Sequence, residues 1–116
     1  ITDLLRKKMK QLIKLVIALG LLVSISAFAA GNIDAGKEKS TSCAACHGAE
    51  GVSASPMFPT IAGQHADYLV HALKSYKNKT RNNPIMQGSV AALSDDDIAD
   101  LAAYFASQEG LKTLKK

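Results

Sequence analysis

The stretch Cys43-Ala44-Ala45-Cys46-His47 decides how this chain folds. Two thiols three positions apart, followed at once by an imidazole, form the attachment pattern of a c-type haem. Each thiol adds to one vinyl group of the porphyrin, so a single short helical turn carries two thioether bonds. His47 then lies beneath the ring, where a nitrogen binds the iron as proximal ligand. The chain has two cysteines in all, so attachment at Cys43 and Cys46 uses every thiol. Thiol redox chemistry and zinc binding are the competing readings. A thioredoxin-like pair expects a βαβ setting, and no strand pattern occurs here. Zinc needs a fourth ligand, with only His65 or His71 to offer it.

Upstream of the motif the chain is first basic and then apolar. Through residue 29 it holds Arg6, Lys7, Lys8, Lys10 and Lys14 against Asp3, which leaves nine basic and nine acidic residues in the remainder. The formal charge of +4 therefore belongs to the leader and implies no nucleic-acid partner. A basic segment ending at Lys14, an apolar run over 15–29 and the small-x-small stretch Ala27-Phe28-Ala29 read as a secretory signal peptide cut after Ala29. Met9 is the expected initiator. The rival is an uncleaved anchor, but the run falls short of the roughly 20 residues that span a bilayer, and Gly20, Ser24 and Ser26 interrupt it. The expectation is a periplasmic protein, membrane-attached only if the leader stays. Residues 30–116 form one domain of 87 residues, small for a self-sufficient core. There is no Trp, and of Phe28, Phe58 and Phe105 the first leaves with the leader. A covalent haem supplies the missing apolar bulk.

The pattern predicts an all-α domain of about three helices joined by long loops around that haem. The first covers about 35–45, with Asp34 as N-cap, Gly36 and Lys37 in its first turn, and Gly48 as its stop. Residues 48–64 hold Pro56, Pro59 and three glycines without an apolar period, and form a loop whose length argues for function. The second helix covers about 66–77, with Tyr68, Leu69, Ala72, Leu73 and Tyr76 on one face. Residues 78–92 read as a loop broken by Asn82-Asn83-Pro84 and Gly88. Ser94 caps the third helix, Asp95, Asp96 and Asp97 fill its first turn, and Ile98, Leu101, Ala102 and Phe105 form its buried stripe. Lys112, Lys115 and Lys116 belong to a frayed, solvated tail.

The sixth iron ligand has four candidates downstream of the motif. Met57 lies only ten residues past His47 and reaches the opposite haem face only through a very tight loop; as an isolated methionine it reads as filler. Met86 precedes the last helix with enough chain to wrap the ring, and a thioether favours ferrous iron and raises the potential. Met86 is the expected ligand, with a bis-histidine site the alternative. His65 and His71 otherwise read as boundary or surface residues. Tyr68, Leu69, Leu73 and Tyr76 read as packing, against protein or porphyrin.

Residues 30 to about 108 resemble a class I c-type cytochrome, a short bacterial periplasmic monohaem form similar to one half of the dihaem c-type cytochromes. Carrying the resemblance are Gly36-Lys37, Cys43-Ala44-Ala45-Cys46-His47-Gly48, Phe58-Pro59-Thr60-Ile61-Ala62-Gly63-Gln64, Tyr68-Leu69, Arg81-Asn82-Asn83-Pro84-Ile85-Met86, and Leu93-Ser94-Asp95 leading to Asp100-Leu101-Ala102-Ala103-Tyr104-Phe105. It implies that the first and last helices cross, with Leu101 and Tyr104 at the contact. It also implies that Pro59, twelve residues after His47, offers its carbonyl to the proximal imidazole. The aromatic that often stands before the haem motif is replaced by Lys39, Ser40 and Thr41, which predicts a weaker crossing.

The expected function is electron transfer rather than catalysis. With both axial positions filled, iron has no place for substrate and cycles single electrons between respiratory redox partners. A quinol-oxidising complex, a terminal oxidase, a reductase or a dehydrogenase each fit, through small transient contacts. Lys74, Lys77, Lys79 and Arg81 precede the Met86 segment and Asp95, Asp96, Asp97 and Asp100 follow it, a charge separation that steers docking or simply solvates two helix ends. The alternative is a haem-containing subunit or sensor whose sixth site opens to a gas or peroxide.

Overall fold

The computed structural model describes residues 1–20 and 30–114. The expected cleavage site at Ala27-Phe28-Ala29 and the last two lysines of the tail lie outside them. The described residues form six helices and no strand: α1 (Thr2–Gly20), α2 (Ile33–Lys39), α3 (Thr41–His47), α4 (Ala66–Lys77), α5 (Pro84–Val90) and α6 (Asp95–Ser107). Along α1 the apolar side chains Leu4, Met9, Leu12 and Val16 are exposed. No helix among the described residues is long and apolar enough to cross a membrane.

The single helix expected over 35–45 is two helices. Asn32, not Asp34, is the cap, because its side chain accepts the Ala35 N–H at 2.9 Å and starts the helix at Ile33. The break falls at Ser40, whose hydroxyl donates to the Lys37 carbonyl at 2.7 Å. A serine hydroxyl competes for backbone acceptors in this way, and the chain restarts as α3 at Thr41. Gly48 stops α3 as expected, at a φ of 85° that favours glycine.

α6 is the frame on which the domain is built. Ser94 accepts the Asp97 N–H at 3.0 Å and Asp97 accepts the Ser94 N–H at 2.9 Å, a complete capping box. Ile98, Leu101, Ala102, Tyr104 and Phe105 are buried, joined by Leu69 and Val70 of α4, with Cys43, Ile61, Leu73 and Leu93 packed around them. The buried face of α4 is Leu69, Val70 and Ala72; Tyr68, expected on that face, is exposed. α2 crosses α6 at Gly36, where an added Cβ would lie 2.0 Å from the Asp100 carbonyl oxygen.

The missing aromatic at this crossing is replaced by a charge. Lys39 reaches Asp100 at 2.6 Å and Asp97 at 2.9 Å, and Asp100 also accepts the Asn32 N–H at 2.7 Å. Asp97 thus does more than open a helix well. Hydrogen bonds from Lys39 and then Ser94 hold its carboxyl down to about 2, and those from Lys39 and then Asn32 lower Asp100. The same bonds, to Asp100 first and then Asp97, raise Lys39.

Both carboxylates are depressed below the ordinary value near 3.9, so their stabilisation is complete above it and is lost as pH falls through the folded-state values. Lys39 is raised, so its contribution is complete below the ordinary lysine range and is lost only as pH climbs past the raised value. Replacing Lys39 with Met is expected to lower the melting temperature of the haem-loaded protein at neutral pH. The gap to the parent should close between about pH 4 and about pH 2. Melting temperatures that run parallel across that range would contradict this account of the crossing.

Two further expectations change. The loop over 78–92 contains α5: Asn83 caps it and Pro84 occupies its first turn, where a missing N–H costs nothing. The tail is held rather than frayed as far as Thr113, because Leu111 N–H donates to the Ala62 carbonyl at 2.8 Å and Thr113 Oγ1 to Gly63 at 3.2 Å.

Candidate functional site

α3 presents Cys43 and Cys46 three residues apart, both half-buried and both free thiols. Cys43 packs against the α4–α6 core, and that burial pushes its thiol up, away from the thiolate form that redox exchange and metal binding need. Among the described residues no group of three or more His, Cys, Asp or Glu is arranged to hold a metal ion.

His47 ends α3 and is buried, 8% exposed. Its Nδ1 lies 2.8 Å from the Pro59 carbonyl oxygen. With Nδ1 carrying the proton it donates, Nε2 is left as a lone-pair nitrogen able to bind a metal. The loop after the motif makes this contact possible. The Gly51 carbonyl accepts Ile61 N–H at 2.8 Å and Ala62 N–H at 3.0 Å, pinching the loop at its base. Ser53 N–H donates to Thr60 Oγ1 at 3.1 Å, tying together the two sides of the loop around Pro56. The Tyr104 hydroxyl donates to the Ala49 carbonyl at 3.0 Å, and Gly63 N–H to the Phe105 carbonyl at 3.0 Å, so both ends of the loop hang on α6. Ser53 and Gly51 went unassigned in the sequence; only the glycine spacing Gly48-x-x-Gly51 hints at them.

The candidates for the sixth position separate by exposure. Met86 is half-buried in the first turn of α5, whereas Met57 is 82% exposed beside Pro56. His65 stands half-buried at the start of α4, and His71 is exposed on that helix. Tyr76 is half-buried under the Arg81 guanidinium, 4.8 Å from the ring centroid.

Packing of α4 on α6 brings the two charged segments together instead of holding them apart. Lys74 lies 3.7 Å from Asp95, and Lys77 Nζ donates to the Leu93 carbonyl. Part of the expected charge separation is therefore spent inside the domain.

The donor set fits a c-type haem. Two free thiols on one turn supply the covalent anchors, the adjacent imidazole has one nitrogen fixed and one open, and a thioether stands on a helix of the same domain. It does not fit a four-ligand zinc site.

The family profile described as Cytochrome c matches residues 33–109. Cytochrome c4 of Pseudomonas aeruginosa is 46% identical over 100 residues, covering 86% of this chain and 49% of that protein. Cytochrome c-554(548) of Halomonas halodenitrificans is 43% identical over 83 residues, 69% of this chain and 100% of that protein. The crystal structure of reduced recombinant cytochrome c4 from Pseudomonas stutzeri superposes with a TM-score of 0.67 at 41% identity, covering 71% of this chain and 48% of that one. The chain spans about half the length of the cytochrome c4 relatives it matches.

Proposed function

The chain belongs to the cytochrome c family, and from that premise we propose that it is a periplasmic electron carrier with one covalently bound haem c and His47–Met86 axial ligation. When bound, the haem supplies a one-electron ferric–ferrous couple. The observation that carries the reading is the His47 ring, fixed at Nδ1 by Pro59 and presented one residue after two free thiols.

Each residue has a defined task. Cys43 and Cys46 anchor the porphyrin to α3. Pro59 orients the imidazole and makes it a stronger donor through its hydrogen bond. Met86 would supply the second protein ligand to the iron, and a metal with its protein ligands complete favours transfer over catalysis. The core contact of Cys43 and the pinched loop beside His47 hold the α3 side chains in place, so little rearrangement there accompanies a change of charge. Partners are other redox proteins that dock briefly, as small interfaces allow.

The test is expression with an export leader in a host able to attach haem. The parent protein is expected to stain for haem on a denaturing gel and to titrate as a single one-electron couple. Changing both Cys43 and Cys46 to serine is expected to abolish the stain, and either single change to reduce it severalfold. A colourless exported parent whose two thiols react with an alkylating reagent would overturn the assignment.

A further inference from the structure

Met86 rides on a helix that cannot stand alone. α5 has seven residues, well below the roughly 12–15 at which an isolated helix becomes marginal in water. Val90, 2% exposed, anchors its last turn, and two side-chain ties hold its first. Asn83 lies extended, with φ −152° and ψ 108°, and its side-chain oxygen accepts the backbone N–H of Met86 at 3.1 Å. Gln87 Nε2 donates to the Arg81 carbonyl at 2.9 Å. Arg81 in turn donates its N–H to the Ser75 carbonyl at 3.0 Å and stacks on Tyr76, so this second tie runs to α4. The first tie is the more telling one, because the N–H that Asn83 satisfies belongs to Met86 itself.

We propose that Asn83 is a positioning residue for the Met86 thioether: its cap holds the first turn of α5 and keeps the sulfur seated on the iron. The inference rests on the reading of Met86 as axial ligand. Asn83 acts through the Met86 backbone that it caps, not on the thioether itself. With the sulfur seated, the cap bond is made. Once the sulfur lets go, nothing apolar holds the exposed first turn, where Asn83, Pro84 and Ile85 all face solvent, and the buried Val90 anchors only the far end of the helix. The cap therefore adds its own stabilisation to the seated state. Replacing an asparagine cap with alanine shifts such an equilibrium about fivefold. A competing ligand that occupies the released state gains apparent affinity by the same factor.

The experiment is an imidazole titration of the ferric haem-loaded protein, followed by loss of the sulfur-to-iron absorption band. Asn83→Ala is expected to bind imidazole about fivefold more tightly than the parent, and Asn83→Asp, which still caps, to return within about twofold of it. Asn83→Ala titrating like the parent would overturn the proposal. So would an Asn83→Asp variant that fails to rescue, since the effect would then not be the cap. Met86→Ala runs alongside: a band that survives this change refutes the ligand reading, whereas a band lost there with no effect at Asn83 refutes only the cap. Hydrogen exchange of the Met86 amide in the unmutated protein gives a second measurement that needs no variant to fold. Imidazole is expected to speed that exchange about fivefold or more, and an unchanged rate would sink the proposal.

Discussion

Gly36→Ala is expected to lower the melting temperature of the haem-loaded protein by about 8–16 °C. The new methyl would sit 2.0 Å from the Asp100 carbonyl oxygen and 2.7 Å from Tyr104 Cβ. Neither neighbour is the end of a flexible side chain, so α2 and α6 must move apart. Overpacking of this kind costs roughly 3 kcal/mol. Better helix propensity returns about 1 kcal/mol, so the clash wins. The separation also strains Lys39, which bridges to Asp97 and Asp100 from the next turn. Thermal denaturation followed by far-ultraviolet circular dichroism measures the shift. A change of only a degree or two would mean that the two helices have slack at their contact, contrary to the backbone-on-backbone packing described above.

Met86→Ala is expected to remove the sulfur-to-iron band and let the reduced protein bind carbon monoxide. The reduction potential should fall by on the order of 0.1–0.3 V, a part of the roughly 0.8 V that axial ligands span. Met57→Ala is the matched control. Met57 is 82% exposed and close in sequence to His47, and its loss should leave all three readouts unchanged. Spectra of both oxidation states and a potentiometric titration decide the matter. If the Met57 change shifts the potential and the Met86 change does not, the ligand assignment is wrong.

The parts of the fold legible in the sequence are those where local chemistry and packing agree. α4 runs from Ala66 to Lys77 because its apolar period continues to the last lysines, and α6 starts at Asp95 because Ser94 and Asp97 satisfy each other. Legibility fails where one residue type supports two structures. Asn83-Pro84 reads equally as a break or as a cap followed by a first-turn proline, and only contact with α4 decides for the helix. Ser40 sits inside an otherwise helical pattern, and its bond to Lys37 splits that pattern in two. Lys39 carries no sequence mark of its role, because Asp97 and Asp100 come within reach only after α6 docks. The same holds at the site. The spacing from His47 to Pro59 is written in the chain, but the Gly51 carbonyl that accepts two N–H groups and shapes the loop is a tertiary fact.

Pairing α2 with α6 has a consequence for the order of events during folding. The Asn32 N–H bonds to Asp100 across 68 residues, so the seat prepared by Gly36 stays empty until nearly the whole domain is free to fold. Closing so long a loop is costly in chain entropy and returns nothing before α6 arrives. Until then Cys43 lacks most of the wall that half-buries it, since that wall is α6 with α4 leaning on it. The chain therefore passes through a period in which the Cys43 sulfur is more open to an outside catalyst, and the docking of its final helix narrows that window.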